Sequence, residues 1–336
     1  MKKKFCRWLI FLICGVIMTS CGMEWGKDTD KLKNAYVYSE EELYATPDDK
    51  AEIIAIWLED EVPFFIVQNL DKGSYEIKSV NEDAVSCYEK GFASCLAKQQ
   101  NRDKQFLDMR ATQTYNGYLY VCMSGQDSDE ICYYRIDPDS EQCESMAVAL
   151  QLSPEAEYLS RMDIKKIDLY VSRGGNMYSV LDDQQICRFF EVGIVGTPII
   201  ESYNEGGKWY FGNGNAYSIW DKRLLRWKFL DNSYNLVVYH RNGLTPDGNA
   251  VYLDNSDNLY LADYEGILYF NINNGNDVTK GPLWELMVDA RNQTVFDEEK
   301  YECKNLLYDE ETESFYLCVK DKITGNERVY HLQKGE

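Results

Sequence analysis

Asn258-Leu259-Tyr260-Leu261-Ala262-Asp263-Tyr264-Glu265-Gly266-Ile267-Leu268-Tyr269-Phe270 decides the fold class. Two short runs of leucine and tyrosine, Leu259–Leu261 and Leu268–Phe270, flank Asp263-Tyr264-Glu265-Gly266, whose composition is that of a turn. Aromatic and branched residues in runs of three to six, punctuated by Gly, Asn and Asp, read as short antiparallel strands. The 26 tyrosines are concentrated in such runs along the chain.

Working outward, one strand type recurs: Phe64-Phe65-Ile66, Tyr118-Leu119-Tyr120-Val121, Leu169-Tyr170-Val171, Trp209-Tyr210-Phe211, Leu259-Tyr260-Leu261 and Phe315-Tyr316-Leu317. The central aromatics fall at 65, 120, 170, 210, 260 and 316. A recurrence of this length, with four short strands to the unit, predicts an all-β chain folded as a β-propeller. The clearest blade runs from Pro198 to Leu230, with strands over Ile199–Tyr203, Lys208–Phe211, Ala216–Trp220 and Leu224–Phe229. Six blades are visible. The expectation leans to seven, with one hidden between Asn81 and Ala111 or near Asn235 to Asp254. Arg328–Leu332 has no successor and Asn34–Ser39 no predecessor, so the two are expected to share a blade and leave no long edge exposed. A two-sheet sandwich or two smaller β domains are the alternatives. Helical pattern is confined to Val85, Tyr88, Phe92, Cys95 and Leu96, and to a start at Ser153-Pro154-Glu155, so one or two short helices are expected between blades.

The first residues carry a different signal. Lys2, Lys3, Lys4 and Arg7 precede an apolar run from Trp8 to Met18, too short to span a bilayer as a helix and of signal-peptide length. The run ends in Met18-Thr19-Ser20-Cys21-Gly22, which resembles the lipobox of bacterial lipoprotein precursors, with Met18 and Thr19 in place of the commoner leucine and alanine or serine. That resemblance implies cleavage before Cys21 and a diacylglyceryl thioether on it, giving two acyl chains and stable attachment to the extracytoplasmic face of the cell membrane. Residues 1–20 are then the signal peptide, 21–33 a polar tether and 34–336 a single propeller domain.

A second resemblance rests on Asp247-Gly248-Asn249, Asn258–Asp263, Gly266–Tyr269 and Trp284–Asp289. These are similar to blades in propeller regions of lipoproteins from anaerobic Gram-positive bacteria, in which a solute-binding module commonly follows; here the chain ends at Glu336. The resemblance implies a propeller and a binding role accessory to transport or to an envelope complex.

The net charge is −21, and removing the four leader cations makes the remainder more acidic. With no basic footprint to displace counterions, nucleic acid is not expected as a partner. The expected partners are the membrane, through the lipid on Cys21, and a protein or glycan ligand. No cofactor is expected.

Chemistry-bearing motifs are sparse. There is no GxSxG elbow, P-loop or HExxH. The histidines are His240 and His331, each expected to be structural. No cysteine pair has CxxC spacing, so a zinc site is not expected. Asp254, Ser256, Asn258 and Glu265 match a calcium-loop count, but Leu259 stands where that loop needs glycine, and a hairpin turn is the reading. Asp137-Pro138-Asp139 is likewise a turn. Trp57, Trp209, Trp220, Trp227 and Trp284 are candidates for stacking on sugar rings or for filling space between blades. No catalytic residue is assigned; paired carboxylates of a glycan hydrolase or lyase are the alternative to a non-catalytic module. Eight cysteines follow Cys21. Cys122 with Cys132, and Cys303 with Cys318, are placed symmetrically about turns, so each pair either bridges across a hairpin or is buried as small apolar residues.

Overall fold

The computed structural model describes residues 38–102 except 82, residues 108–146 except 116, 125–130 and 140–142, the strands between 167 and 237, residues 250–270 except 255–257, and residues 284–335. Strand β1 (Tyr38–Ala45) precedes a three-stranded meander of β2 (Ala51–Glu59), β3 (Val62–Asn69) and β4 (Ser74–Ser79). Helix α1 (Glu89–Arg102) follows. Four-stranded meanders come next: β5 (Asp108–Tyr115), β6 (Tyr118–Ser124), β7 (Ile131–Ile136) and β8 (Glu144–Met146); then β9 (Ile167–Val171), β10 (Met177–Asp183), β11 (Ile186–Glu191) and β12 (Ile200–Tyr203). The next two are β13 (Trp209–Gly212), β14 (Asn215–Trp220), β15 (Arg223–Lys228) and β16 (Ser233–Val237), and β17 (Ala250–Leu253), β18 (Leu259–Asp263), β19 (Gly266–Phe270) and β20 (Trp284–Asp289). The chain ends in β21 (Tyr301–Asp309), β22 (Ser314–Asp321) and β23 (Glu327–Lys334), and β1 pairs antiparallel with β23 to complete their sheet.

The protein is therefore all-β in its described sheets, six small antiparallel ones, with α1 inserted between the first two. The expected partnership of first and last strands is present, from Tyr38 opposite Lys334 to Ala45 opposite Arg328. A seventh sheet is not found among the described residues. The stretch between Asn81 and Ala111 holds α1, which buries Phe92 and Cys95; Tyr88, just before the helix, is buried with them, while Val85 is left exposed. The phase expected for residues 198–230 is corrected by one strand: β12 pairs with β11 in the preceding sheet, and β13 begins a new one.

Central strands bury both faces, so they read as unbroken apolar runs. Phe64–Val67 are all buried, and so are Phe315–Val319. One face of the β2–β4 sheet packs on β22 and β23 through Ala51, Ile53, Phe65, Val67, Cys318 and Val329. Its other face presents Ala55, Trp57, Phe64 and Ile66 to Leu119, Val121, Met123 and Tyr134 of the β5–β8 sheet. A bulge at Ile54 makes the switch: before it Ile53 opposes Val67, after it Ala55 opposes Ile66, so successive odd residues serve different interfaces. Strands β5 and β21 carry register shifts of the same kind. The sheet of β21–β23 in turn packs its second face on β17–β20, through Phe315, Leu317, Val319, Tyr260 and Ala262. The first strands lie side by side in a cycle: β2 beside β5, β5 beside β9, β9 beside β13, β13 beside β17, β17 beside β21, and β21 beside β2.

Of the two readings of the hairpin cysteines, bridged or buried separately, the register places them on separate faces. Cys122 lies opposite Tyr133, and Cys132 opposite Met123, so the two thiols point to opposite faces. The shift in β21 has the same result: Cys303 lies opposite Val319 and Cys318 opposite Asn305. Cys303 enters the interface with β17–β20 and Cys318 the one with β2–β3. All four are buried without a disulfide. Burial pushes the Cys303 thiol up to about 12 and raises Cys318 as well.

Candidate functional site

The C-terminal ends of β17 and β21 carry a row of tyrosines. Tyr252 lies near the end of β17 with Asp254 just beyond it, and Tyr308 and Asp309 close β21 with Glu310 just beyond them. The Tyr260 ring stacks on Tyr308 at 4.5 Å and 26°, lies 5.1 Å from Tyr269 and 6.1 Å from Tyr252. Phe315 backs the row, 4.7 Å from Tyr308. Tyr260 is buried, whereas Tyr252, Tyr269 and Tyr308 keep part of their surface in solvent. Burial raises the Tyr252, Tyr260 and Tyr308 hydroxyls above their ordinary value, and the charges of Asp254 and Glu310 add to the effect. These phenols stay protonated at any physiological pH and present O–H donors beside carboxylate acceptors on an aromatic floor.

The loops around this row are organised by their own side chains. Asn258 donates its backbone N–H to Asp254 Oδ1 and its amide to Asp254 Oδ2, both at 2.9 Å. Glu265 donates its N–H to Asp263 Oδ1 at 2.8 Å. Asp254, Asn258 and Glu265 therefore serve hairpin turns; Ser256 lies outside the described residues. Asp137 accepts the Asp139 N–H at 2.9 Å, again a turn. Among the described residues no group of three His, Cys, Asp or Glu is placed to hold a metal.

A hydrogen-bond chain runs through the β21–β22 turn. Asp309 Oδ2 accepts from Thr312 Oγ1 at 2.6 Å, Thr312 Oγ1 lies 2.7 Å from Ser314 Oγ, and Ser314 Oγ lies 2.9 Å from His331 Nε2. This has the residue types of a nucleophile triad but not its wiring, because Asp309 meets the threonine and not the imidazole. Ser314 is 1% exposed. Burial lowers the His331 pKa, so its ring is neutral at pH 7, stacked 4.4 Å from Tyr316 with the planes 2° apart. The chain ties β21, β22 and β23 together. His240 lies outside the described residues.

Two further carboxylates face inward. Glu59 accepts from Trp57 Nε1 at 2.7 Å, Ser86 Oγ at 2.5 Å and the Cys87 N–H at 2.8 Å. Trp57 is 2% exposed between Phe64 and Tyr88, so it fills core. The side chains of Trp209, Trp220, Trp227 and Trp284 lie outside the described residues. Glu327, 3% exposed, accepts the Ile53 N–H at 2.5 Å across the seam between β2 and β23. Burial raises its pKa, with Glu52 adding to it, against the pull of the Ile53 N–H, Lys304 and Lys320.

A carboxyl raised in the folded state binds its proton more tightly there. Its contribution is full below the unfolded-state pKa and is lost as pH rises through the folded value. Glu327→Gln keeps an acceptor for Ile53 and removes the charge. It is expected to leave stability near wild type at pH 4 and to raise it by about 1 kcal/mol at pH 8. Urea midpoints across that range check this; a variant less stable than wild type at pH 8 contradicts it.

Sequence reading looked to tryptophan for ligand contact and missed the tyrosine row. The signal was there in Tyr252, Tyr260, Tyr269 and Tyr308, but only strand pairing and sheet packing bring them together.

No family model matches the chain, and no curated protein matches it. Among solved structures, a gluconolactonase from Xanthomonas campestris is 10% identical over 90% of this chain and 92% of its own, with a TM-score of 0.45. A luciferin-regenerating enzyme is 12% identical over 89% of this chain and 97% of its own, with a TM-score of 0.42. An auxiliary nutrient binding protein from Bacteroides thetaiotaomicron is 10% identical over 84% of this chain and 69% of its own, with a TM-score of 0.41.

Proposed function

We propose that the chain is a lipid-anchored extracytoplasmic protein whose single domain is a six-bladed β-propeller acting as a non-catalytic binding module for a protein or glycan ligand. What supports the propeller is the cyclic order of first strands, each beside those of the sheets before and after it in sequence, with the last sheet completed by β1. What carries the binding reading is the tyrosine row. Aromatic faces suit stacking on sugar rings or packing on peptide, and protonated hydroxyls beside Asp254 and Glu310 suit polar groups of an uncharged or basic ligand. Among the groups nearest to acid–base chemistry, Ser314 and Glu327 are buried, and half-buried His331 is bonded to Ser314 and stacked on Tyr316, so that all three are engaged in holding sheets together.

Binding to glycan and peptide arrays is expected to fall at least tenfold in Tyr308→Ala and in Tyr252→Ala, with folding retained by circular dichroism. Turnover of a glycan abolished by one Asp or Glu substitution overturns the non-catalytic reading. The anchor is tested separately: Cys21→Ser is expected to abolish incorporation of labelled lipid and to release the chain from the membrane fraction or leave it unprocessed. Equal labelling of wild type and variant refutes the anchor.

A further inference from the structure

Helix α1 joins the sheet of β2–β4 to that of β5–β8 and is held by polar contacts at both ends. The Tyr88 hydroxyl, just before it, donates to the Gly117 carbonyl at 2.9 Å, and Gln99 Oε1 accepts from the Tyr134 hydroxyl at 2.9 Å. Lys98 Nζ donates to the Cys143 carbonyl. Between these, Phe92 and Cys95 enter the core shared by the two sheets. Cys143, directly before β8, enters the same core, so that Cys95 is 0% and Cys143 2% exposed.

We propose that Cys95 and Cys143 are an oxidisable pair, and that a disulfide between them locks α1 onto the β5–β8 sheet. Two thiols from segments distant in sequence are buried in one core, and Lys98, three residues after Cys95 on α1, holds Cys143 by its carbonyl, so the fold brings the two cysteines to one place. They are also chemically unequal. The hydrogen bond from Cys95 and the Lys98 ammonium bring the Cys143 thiol down to about 7, against the effect of burial. Burial raises the Cys95 thiol. Cys143 is thus the attacking thiolate and Cys95 the resolving thiol.

The oxidant is a low-molecular-weight disulfide. The Cys143 thiolate attacks one of its sulfurs, the S–S bond breaks, and one thiolate leaves and takes up a proton. Cys95 then gives up its proton and attacks the Cys143 sulfur, expelling the second thiol. Two protein thiols become one disulfide, and one oxidant disulfide becomes two thiols. Because the folded pair is sealed, exchange takes place as the chain folds or when β8, a three-residue edge strand, lifts away. The bond closes a loop of about 50 residues containing β5, β6 and β7, which predicts a rise of about 5–10 °C in melting temperature.

The test uses the full chain in detergent, incubated with oxidised glutathione, then alkylated in denaturant and analysed by intact mass and peptide mapping. Oxidised wild type is expected to show two fewer alkylatable thiols and a peptide linking Cys95 to Cys143. Cys95→Ser is expected to retain glutathione on Cys143, and Cys143→Ser to form neither adduct nor link. Full alkylation of wild type, or a link to Cys132 or any other cysteine in place of this one, overturns the proposal. Wild-type mapping alone decides the point should either variant fail to fold, and neither outcome depends on the binding reading.

Discussion

Gly266→Ala is expected to destabilise the protein by about 4 kcal/mol or more, the range reserved for backbone collisions at strained positions. Gly266 opens β19 at φ +123°, a conformation that side-chain-bearing residues rarely adopt. A Cβ there would lie 1.9 Å from the Val288 carbonyl oxygen, 2.9 Å from its carbon and 3.0 Å from the Ala290 nitrogen. These are backbone atoms of β20 and the turn after it, fixed by pairing of Gly266 with Asp289 and by the Ala290 N–H on the Glu265 carbonyl at 3.1 Å. No rotamer change relieves the overlap, so β19 and β20 must separate. Gly117→Ala is the control. Its φ is +75° but nothing lies within 4 Å of the added carbon, so only the conformational cost applies, about 1 kcal/mol. Urea unfolding of both variants separates collision from conformation; equal midpoints would show that the collision is not the cause.

The same Gly266 turn was legible in sequence, and the reason it was shows what the rest lacked. Leu259–Leu261 and Leu268–Phe270 are runs bounded by turn residues, and local pattern is enough to place them on β18 and β19. Which strand of a sheet each run forms is a different question. Phe65, Tyr120, Tyr260 and Tyr316 lie on second strands, whereas Tyr170 and Tyr210 lie on first strands, β9 and β13. That slip accounts for the misplaced break at residue 198. A meander of short antiparallel strands looks alike on either side of a sheet boundary, because the boundary is a missing set of hydrogen bonds and leaves no residue type behind. Register has the same difficulty. Cys122 and Cys132 miss each other by one residue, and a one-residue difference sends a side chain to the other face.

Site residues were less legible than strands. Glu59 gathers Trp57, Ser86 and Cys87 into one network, yet nothing in the neighbourhood of Glu59-Asp60-Glu61 distinguishes it from a solvated turn. Glu327 and Thr46 are linked by 2.9 Å and 2.8 Å hydrogen bonds although they stand at opposite ends of the chain. The tyrosine row needs both β17 and β21, joined by packing and not by proximity in sequence.

That meeting of chain ends leads to the second large effect: a chain lacking residues through Ala45 is expected to lose its cooperative unfolding transition. Strand β1 does more than cover an edge. Glu42 accepts from Arg328 at 2.7 Å and from the Tyr330 hydroxyl at 3.0 Å. Glu40 accepts from the Thr294 N–H at 2.8 Å, the Thr294 hydroxyl at 2.5 Å and the Val295 N–H at 3.3 Å, fixing the segment between β20 and β21. Tyr38 is 4% exposed, 5.7 Å from Phe315, and its carbonyl accepts from Gln293 Nε2 at 2.5 Å. Loss of that one ring alone costs about 3–5 kcal/mol on the scale of buried aromatic truncations, against a total stability of about 5–15 kcal/mol. Removal of the strand also strips β23 of one of its two ladder partners and makes β23 the edge of the sheet in place of β1, whose Glu40, Glu41 and Glu42 guard that edge against pairing with other chains. Soluble aggregates and a broad, shallow urea transition are therefore expected from the truncated chain. A synthetic peptide spanning residues 38–45 should restore a single transition at a concentration-dependent midpoint, because it supplies the same register and the same carboxylates in trans. A truncated chain that unfolds cooperatively at the wild-type midpoint would show that β1 is an accessory strand and that β21–β23 hold their place without it.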